Sequence, residues 1–157
     1  MALDRTAAQQ VAYDLLSRKA WARQELFVRL RRRGAPAPVA EDVLKELEGK
    51  GYVNDQAFAI AWSETRATQR HLGGRRLRQE LTKKGVAPSA IEAAIERAFG
   101  PSGEAAEAMT AATRVWPRLL RRGAEKAPRR LRDYLLRRGF PAELVDALVR
   151  QLARLEM

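Results

Sequence analysis

The chain has 157 residues, with 30 lysines and arginines against 19 acids and a net charge of +11, so its field favours polyanionic partners. The absence of cysteine excludes disulfide staples and thiolate metal sites, and no apolar run approaches the ~20 residues needed to span a bilayer. Hydrophobic residues make up 46%, mostly Leu, Ala and Val, which is enough for a folded interior and favours helices over strands. Met1–Arg5 lacks the basic-then-apolar layout of a signal peptide, and a cytoplasmic protein is expected.

In chain order, a first helix is predicted over about Arg5–Arg18, carrying Val11, Leu15 and Leu16 at helical spacing. The next runs through Leu26 and Leu30 to Arg32-Arg33-Gly34, and a third follows Pro38 with Val39, Val43, Leu44 and Leu47. Beyond the Gly49-Lys50-Gly51 turn, Asn54-Asp55 cap a helix whose core face is read as Phe58, Ala61, Trp62 and Thr65. Leu77 and Leu81 then lead to Lys83-Lys84-Gly85, and Pro88 opens a helix with Ile91, Ala94, Ile95 and Ala98. After Gly100-Pro101-Ser102-Gly103, a helix lies within Gly103–Arg122, where Pro117 predicts a kink or break. Leu131 and Leu135 lead to Arg137-Arg138-Gly139, and Pro141 starts the last helix, with Leu144, Val145, Leu148 and Val149.

The same pattern thus occurs three times: Leu at eight and at four residues before a glycine, a basic pair directly before it, and an apolar residue directly after it. Such a glycine reads as the left-handed stop of a helix, with Ala35, Val86 or Phe140 packing back on Leu30, Leu81 or Leu135. The glycines are separated by 51 and then 54 residues. An all-α fold of three tandem three-helix repeats follows, at 1–50, 51–100 and 101–157, forming an elongated, curved array because one triplet can hardly bury its apolar face alone.

Catalytic constellations are missing from this pattern, so no enzyme, cofactor or metal site is expected. The only histidine, His71, stands beside Arg70 and reads as a surface or partly packed residue. Gly73-Gly74 lacks the GK[ST] ending of a phosphate loop and reads as a turn. Glu41, Asp42, Glu46 and Glu48 accompany Lys45 on a solvated helix face. Trp62 is assigned to core packing with Phe58, and Trp21 to a staple-like contact before a helix start.

The basic residues sort by helical angle. Arg33, Lys84 and Arg138, directly before the glycines, fall near the buried face and are expected to cover the helix end. A second stripe, roughly 60–140° from the core centre, holds Glu25, Arg29 and Arg32, then Arg76, Glu80 and Lys83, then Arg130, Tyr134 and Arg137. Arg75, Arg78, Arg129 and Arg132 reinforce it. Aligned on successive repeats, these positions form a positive surface suited to a phosphate backbone. The three tryptophans are given no stacking role.

The runs Glu25-Leu26, Gly51-Tyr52-Val53-Asn54-Asp55 with Phe58-Ala59, Gly74-Arg75-Arg76-Leu77 with Glu80-Leu81, and Lys84-Gly85-Val86 resemble the bacterial RecX family. Tyr134-Leu135 with Arg138-Gly139-Phe140 resembles that family's C-terminal repeat. The resemblance implies a regulator that binds the RecA filament on single-stranded DNA, and a monomer is expected. It further implies inhibition of RecA's ATPase, strand-exchange and coprotease activities, with direct single- or double-strand DNA contact possible and no membrane role. It brings no catalytic residues. Two departures stand out: Ala22, where many members place a serine cap, and Pro117. The alternatives are a basic helical protein that coats DNA without a recombinase, and a helical scaffold for another acidic protein.

Overall fold

The computed structural model describes residues 1–157 as nine α-helices without a strand. They are α1 (Arg5–Arg18), α2 (Arg23–Arg32), α3 (Ala37–Gly49), α4 (Asp55–Thr68), α5 (Gly74–Lys83), α6 (Pro88–Phe99), α7 (Gly103–Arg121), α8 (Ala127–Arg137) and α9 (Ala142–Leu155). The protein is an all-α helical repeat, and no helix is long and apolar enough to cross a membrane.

The predicted helix stops form as the local chemistry demands. Gly34, Gly85 and Gly139 have φ of +105°, +81° and +95°. In each case the residue after the glycine donates its N–H to the carbonyl of the leucine four residues before it: Ala35 to Leu30 at 3.0 Å, Val86 to Leu81 at 3.1 Å and Phe140 to Leu135 at 3.3 Å. The leucines, Ala35, Val86 and Phe140 are all buried, so the bond and the apolar contact close together.

Helix starts use two devices. Asp4 and Asn54 cap their own helices, accepting the N–H of Ala7 at 2.7 Å and of Ala57 at 3.1 Å. Ala22 has no capping side chain, and Asp55 replaces it from a distance by accepting the Arg23 N–H at 2.7 Å. Glu104 does the same for Gly74, also at 2.7 Å. The starts of α2 and α5 are therefore each capped by an acid from the beginning of the following triplet.

The chain forms two compact units, Met1–Ala59 with Leu81–Ile91, and Ile60–Glu80 with Glu92–Met157. The first is centred on Ala8, Leu15, Leu26, Leu30, Val43, Leu44 and Leu47. The core of the second includes Ala112, Trp116, Leu131, Leu135, Phe140, Val145 and Leu148.

Two expectations are corrected. In α4 the buried face is Phe58, Ala59, Ser63 and Ala67, while Ala61 and Thr65 are exposed and Trp62 is only half-buried. The small side chains at 59, 63 and 67, four residues apart, form one stripe and take the inward positions. Trp62 instead donates its indole N–H to Glu80 at 3.2 Å and carries the Arg66 guanidinium over its ring at 3.2 Å. Burial outweighs the Glu80 contact and lowers the Arg66 pKa. In α7 the helix continues through Pro117. The missing N–H forfeits one backbone bond, but Val115, Trp116 and Leu119 on the same stretch are buried in the core and hold the helix.

Candidate functional site

Each compact unit contains a basic cleft, and the two are built in the same register. In the first unit the Gly85 corner lies against the opening turn of α2, where a Cβ on Gly85 would collide with the Gln24 side chain. In the second the Gly139 corner lies against the opening turn of α5, where a Cβ on Gly139 would collide with Arg76. Glycine is required at both corners by the left-handed backbone and by this close approach.

The first cleft, of about 380 Å³, draws Lys19 and Trp21 from the α1–α2 connection, Val28, Arg29 and Arg32 from α2, and Lys83 and Lys84 from the Gly85 corner. The Glu25 carboxylate on its wall holds Lys84 Nζ at 2.6 Å. The indole N–H of Trp21 donates to the Leu15 carbonyl at 3.0 Å, and Lys19 Nζ lies 4.0 Å above the ring. The second cleft, of about 240 Å³, is lined by Arg75, Arg76, Gln79, Leu136, Arg137 and Gly139. Gln24 and Arg75 occupy one repeat position, as do Glu25 and Arg76, Val28 and Gln79, and Lys83 and Arg137.

The ten basic residues expected from the helical angles divide clearly. Arg29, Arg32 and Lys83 meet in the first cleft, and Arg75, Arg76 and Arg137 in the second. Arg78 is engaged by Glu92 through two bonds, of 2.6 and 3.0 Å, and Arg132 by Asp146 at 2.8 Å. These two pairs are repeat equivalents, each tying a middle helix to the helix after it. The hydrogen bond to Glu92 raises the Arg78 pKa, and the same bond lowers that of Glu92. Arg130 donates to the Arg122 carbonyl at 3.3 Å, and Arg129 is exposed; neither lines the second cleft. Arg76 has only a long pairing with Glu80, 3.6 Å, and donates to the Arg137 carbonyl at 3.3 Å. Arg29, Arg32, Arg75, Lys83, Arg129, Arg130 and Arg137 form no ion pair.

Two of the residues directly before the glycines, Lys84 and Arg138, reach a neighbouring segment. Lys84 reaches Glu25, and Arg138 donates to the Arg70 carbonyl at 2.8 Å while lying over the Tyr134 ring. In the first repeat Arg31, rather than Arg33, meets the turn, donating to the Ala35 carbonyl at 3.1 Å. Helical angle placed these side chains near the core, but the neighbouring segment supplied closer acceptors. Sequence reasoning also missed Lys19, Trp21 and Lys84 as cleft residues, because a connection between helices has no period to read. His71 is partly packed, with φ +53° and Nδ1 3.4 Å from Glu107 Oε2.

Comparison with known proteins gives this arrangement a family context. Residues 8–47 match the family model described as the first three-helix domain of RecX, and residues 54–95 match its second three-helix domain. The chain is 35% identical over 144 residues to the regulatory protein RecX of Thermobifida fusca, covering 92% of this chain and 77% of that protein. It is 32% identical over 150 residues to the regulatory protein RecX of Amycolatopsis mediterranei, covering 94% and 83%. For the regulatory protein RecX of Deinococcus radiodurans the identity is 30% over 151 residues, covering 96% and 71%. The crystal structure of RecX from Lactobacillus salivarius shares the fold, with a TM-score of 0.82 over 97% of each chain at 19% identity.

Proposed function

The chain belongs to the RecX family of regulatory proteins, and from that premise we propose that it is a negative regulator of the RecA recombinase. In this reading it binds the RecA filament on single-stranded DNA and inhibits its ATPase, strand-exchange and coprotease activities. The observation that carries the reading is the pair of basic clefts at equivalent repeat positions, with Arg29, Arg32 and Lys83 in one and Arg75 and Arg137 in the other free of ion pairs. Cations held apart from carboxylates remain available to a partner, and two such sites in one chain multiply their affinities by effective concentration. Regulation then follows from occupancy. Binding favours one filament state by the difference in affinity between states, and lowers turnover in proportion. The three repeats, 1–50, 51–100 and 101–157, would engage the filament as successive modules.

RecA ATP hydrolysis on single-stranded DNA, measured over a range of salt with substoichiometric protein, tests the proposal. Inhibition well below one molecule per recombinase supports it. Inhibition only when the protein saturates the DNA favours the second reading, a basic helical protein acting on DNA directly, which the excess of unpaired cations also supports.

A further inference from the structure

The two clefts share a register but differ in chemistry, and that difference separates their partners. Resting on the filament-binding reading above, we infer that the first cleft takes an acidic, partly apolar segment of the protein component of the filament rather than DNA.

Four observations carry this inference. First, Val28 is 37% exposed, and it is the only exposed large hydrophobic residue in a basic cleft; the others are Met1, Tyr52, Leu155 and Met157. Its counterpart in the second cleft is Gln79. Second, the first cleft has the Glu25 carboxylate where the second has the Arg76 guanidinium. Three guanidinium groups match phosphate geometry in the second cleft, whereas the first has no guanidinium at that position and its Glu25 is tied to Lys84. Third, the Trp21 ring has Lys19 above it at 4.0 Å, and its N–H is spent on Leu15. That face is closed to base stacking, but the edge of the ring and the lysine stems still offer apolar surface. Fourth, Arg29, Arg32 and Lys83 have no ion pair and can receive side-chain carboxylates. An aliphatic side chain on Val28 with acids on either side fills this combination of groups.

The test compares two exposed double variants, Arg29→Glu with Lys83→Glu and Arg75→Glu with Arg137→Glu. Each is measured against a protein-free oligodeoxythymidylate by fluorescence anisotropy, and against RecA filament assembled on that oligonucleotide. The first variant should lose roughly tenfold or more in filament affinity while its oligonucleotide affinity stays within about twofold. The second should lose affinity for both. Val28→Ala, which leaves the charge unchanged, should weaken filament binding several-fold and leave oligonucleotide binding alone. Equal loss of oligonucleotide affinity in the two double variants overturns the inference, as does a Val28→Ala protein that binds filament normally. If the unaltered protein binds oligonucleotide but no filament, the regulator reading itself fails, and the inference with it. Circular dichroism confirms that each variant retains its helices.

Discussion

The glycine corner at Gly85 meets its neighbour through side chains, whereas the corner at Gly139 meets its neighbour backbone to backbone. In the first unit Gly85 lies on the Gln24 side chain, and the contact is completed by Lys84 on Glu25. In the second unit Gly73 donates to the Arg138 carbonyl at 2.7 Å and Arg75 donates to the Gly139 carbonyl at 3.1 Å. A Cβ at Gly73 would fall on the backbone of Gly139 and Phe140. The Gln24 contact is made chiefly by Cβ, which side-chain rotation does not move, so both corners are close-packed; the second adds two backbone hydrogen bonds that any shift must also break.

Five substitutions probe these contacts, in falling order of effect. Gly73→Ala should be the most damaging, costing about 3 kcal/mol or more, because the added methyl must separate two bonded backbones. Urea unfolding followed by tryptophan fluorescence reads the loss, and a change below about 1 kcal/mol would show that the junction yields. Gly85→Ala should cost less, about 2 kcal/mol, from its left-handed backbone and from the shift that clears Gln24 Cβ, because that shift breaks no pair of backbone hydrogen bonds like that at Gly139. If Gly85→Ala proves as costly as Gly73→Ala, the distinction between the two corners is lost.

Asp55→Ala and Glu104→Ala each remove a distant helix cap and should each cost about 1 kcal/mol. Hydrogen exchange should show the opening turn of α2 fraying in the first variant and that of α5 in the second. Protection unchanged in both places would mean that these acids do not act as caps.

The smallest effect belongs to Glu92→Gln. The Arg78 hydrogen bond holds the Glu92 carboxyl below its ordinary value of 4.5. A depressed folded value means that the pair's stabilisation is complete above that ordinary value and is lost as pH falls through the folded one. The substitution should therefore flatten the acid limb of a thermal-stability profile.

Much of the fold was legible because its signals are local. The bond from Ala35 to Leu30, and its counterparts at Val86 and Phe140, span five residues, and the glycine, the leucine and the following apolar residue specify them together. Asn54 likewise announces α4 from three residues away. Where two local signals conflicted, the outcome lay elsewhere: Pro117 reads as a kink or break, and the break does not occur because Trp116 and Leu119 carry α7 through it. In α4 the large side chain suggested the wrong inward face, since Ala59, Ser63 and Ala67 give closer packing than Trp62 can.

By itself, the sequence determined that this protein is helical, basic and threefold repeated, because capping bonds, apolar period and net charge depend on residues a few positions apart or on none in particular. Only the tertiary structure decided which cations are available. Arg78 and Arg132 carry the same charge as Arg75 and Arg137, but Glu92 and Asp146, fourteen residues further on, reach only the first two. It also decided that Lys19, Trp21 and Val28 share a cleft with Lys83, and that Gly73, which reads as a turn, is a docking surface. The physical reason is common to all of these: an ion pair or a backbone contact is set by separation in space, and the chain folds residues distant in sequence to within a few ångströms.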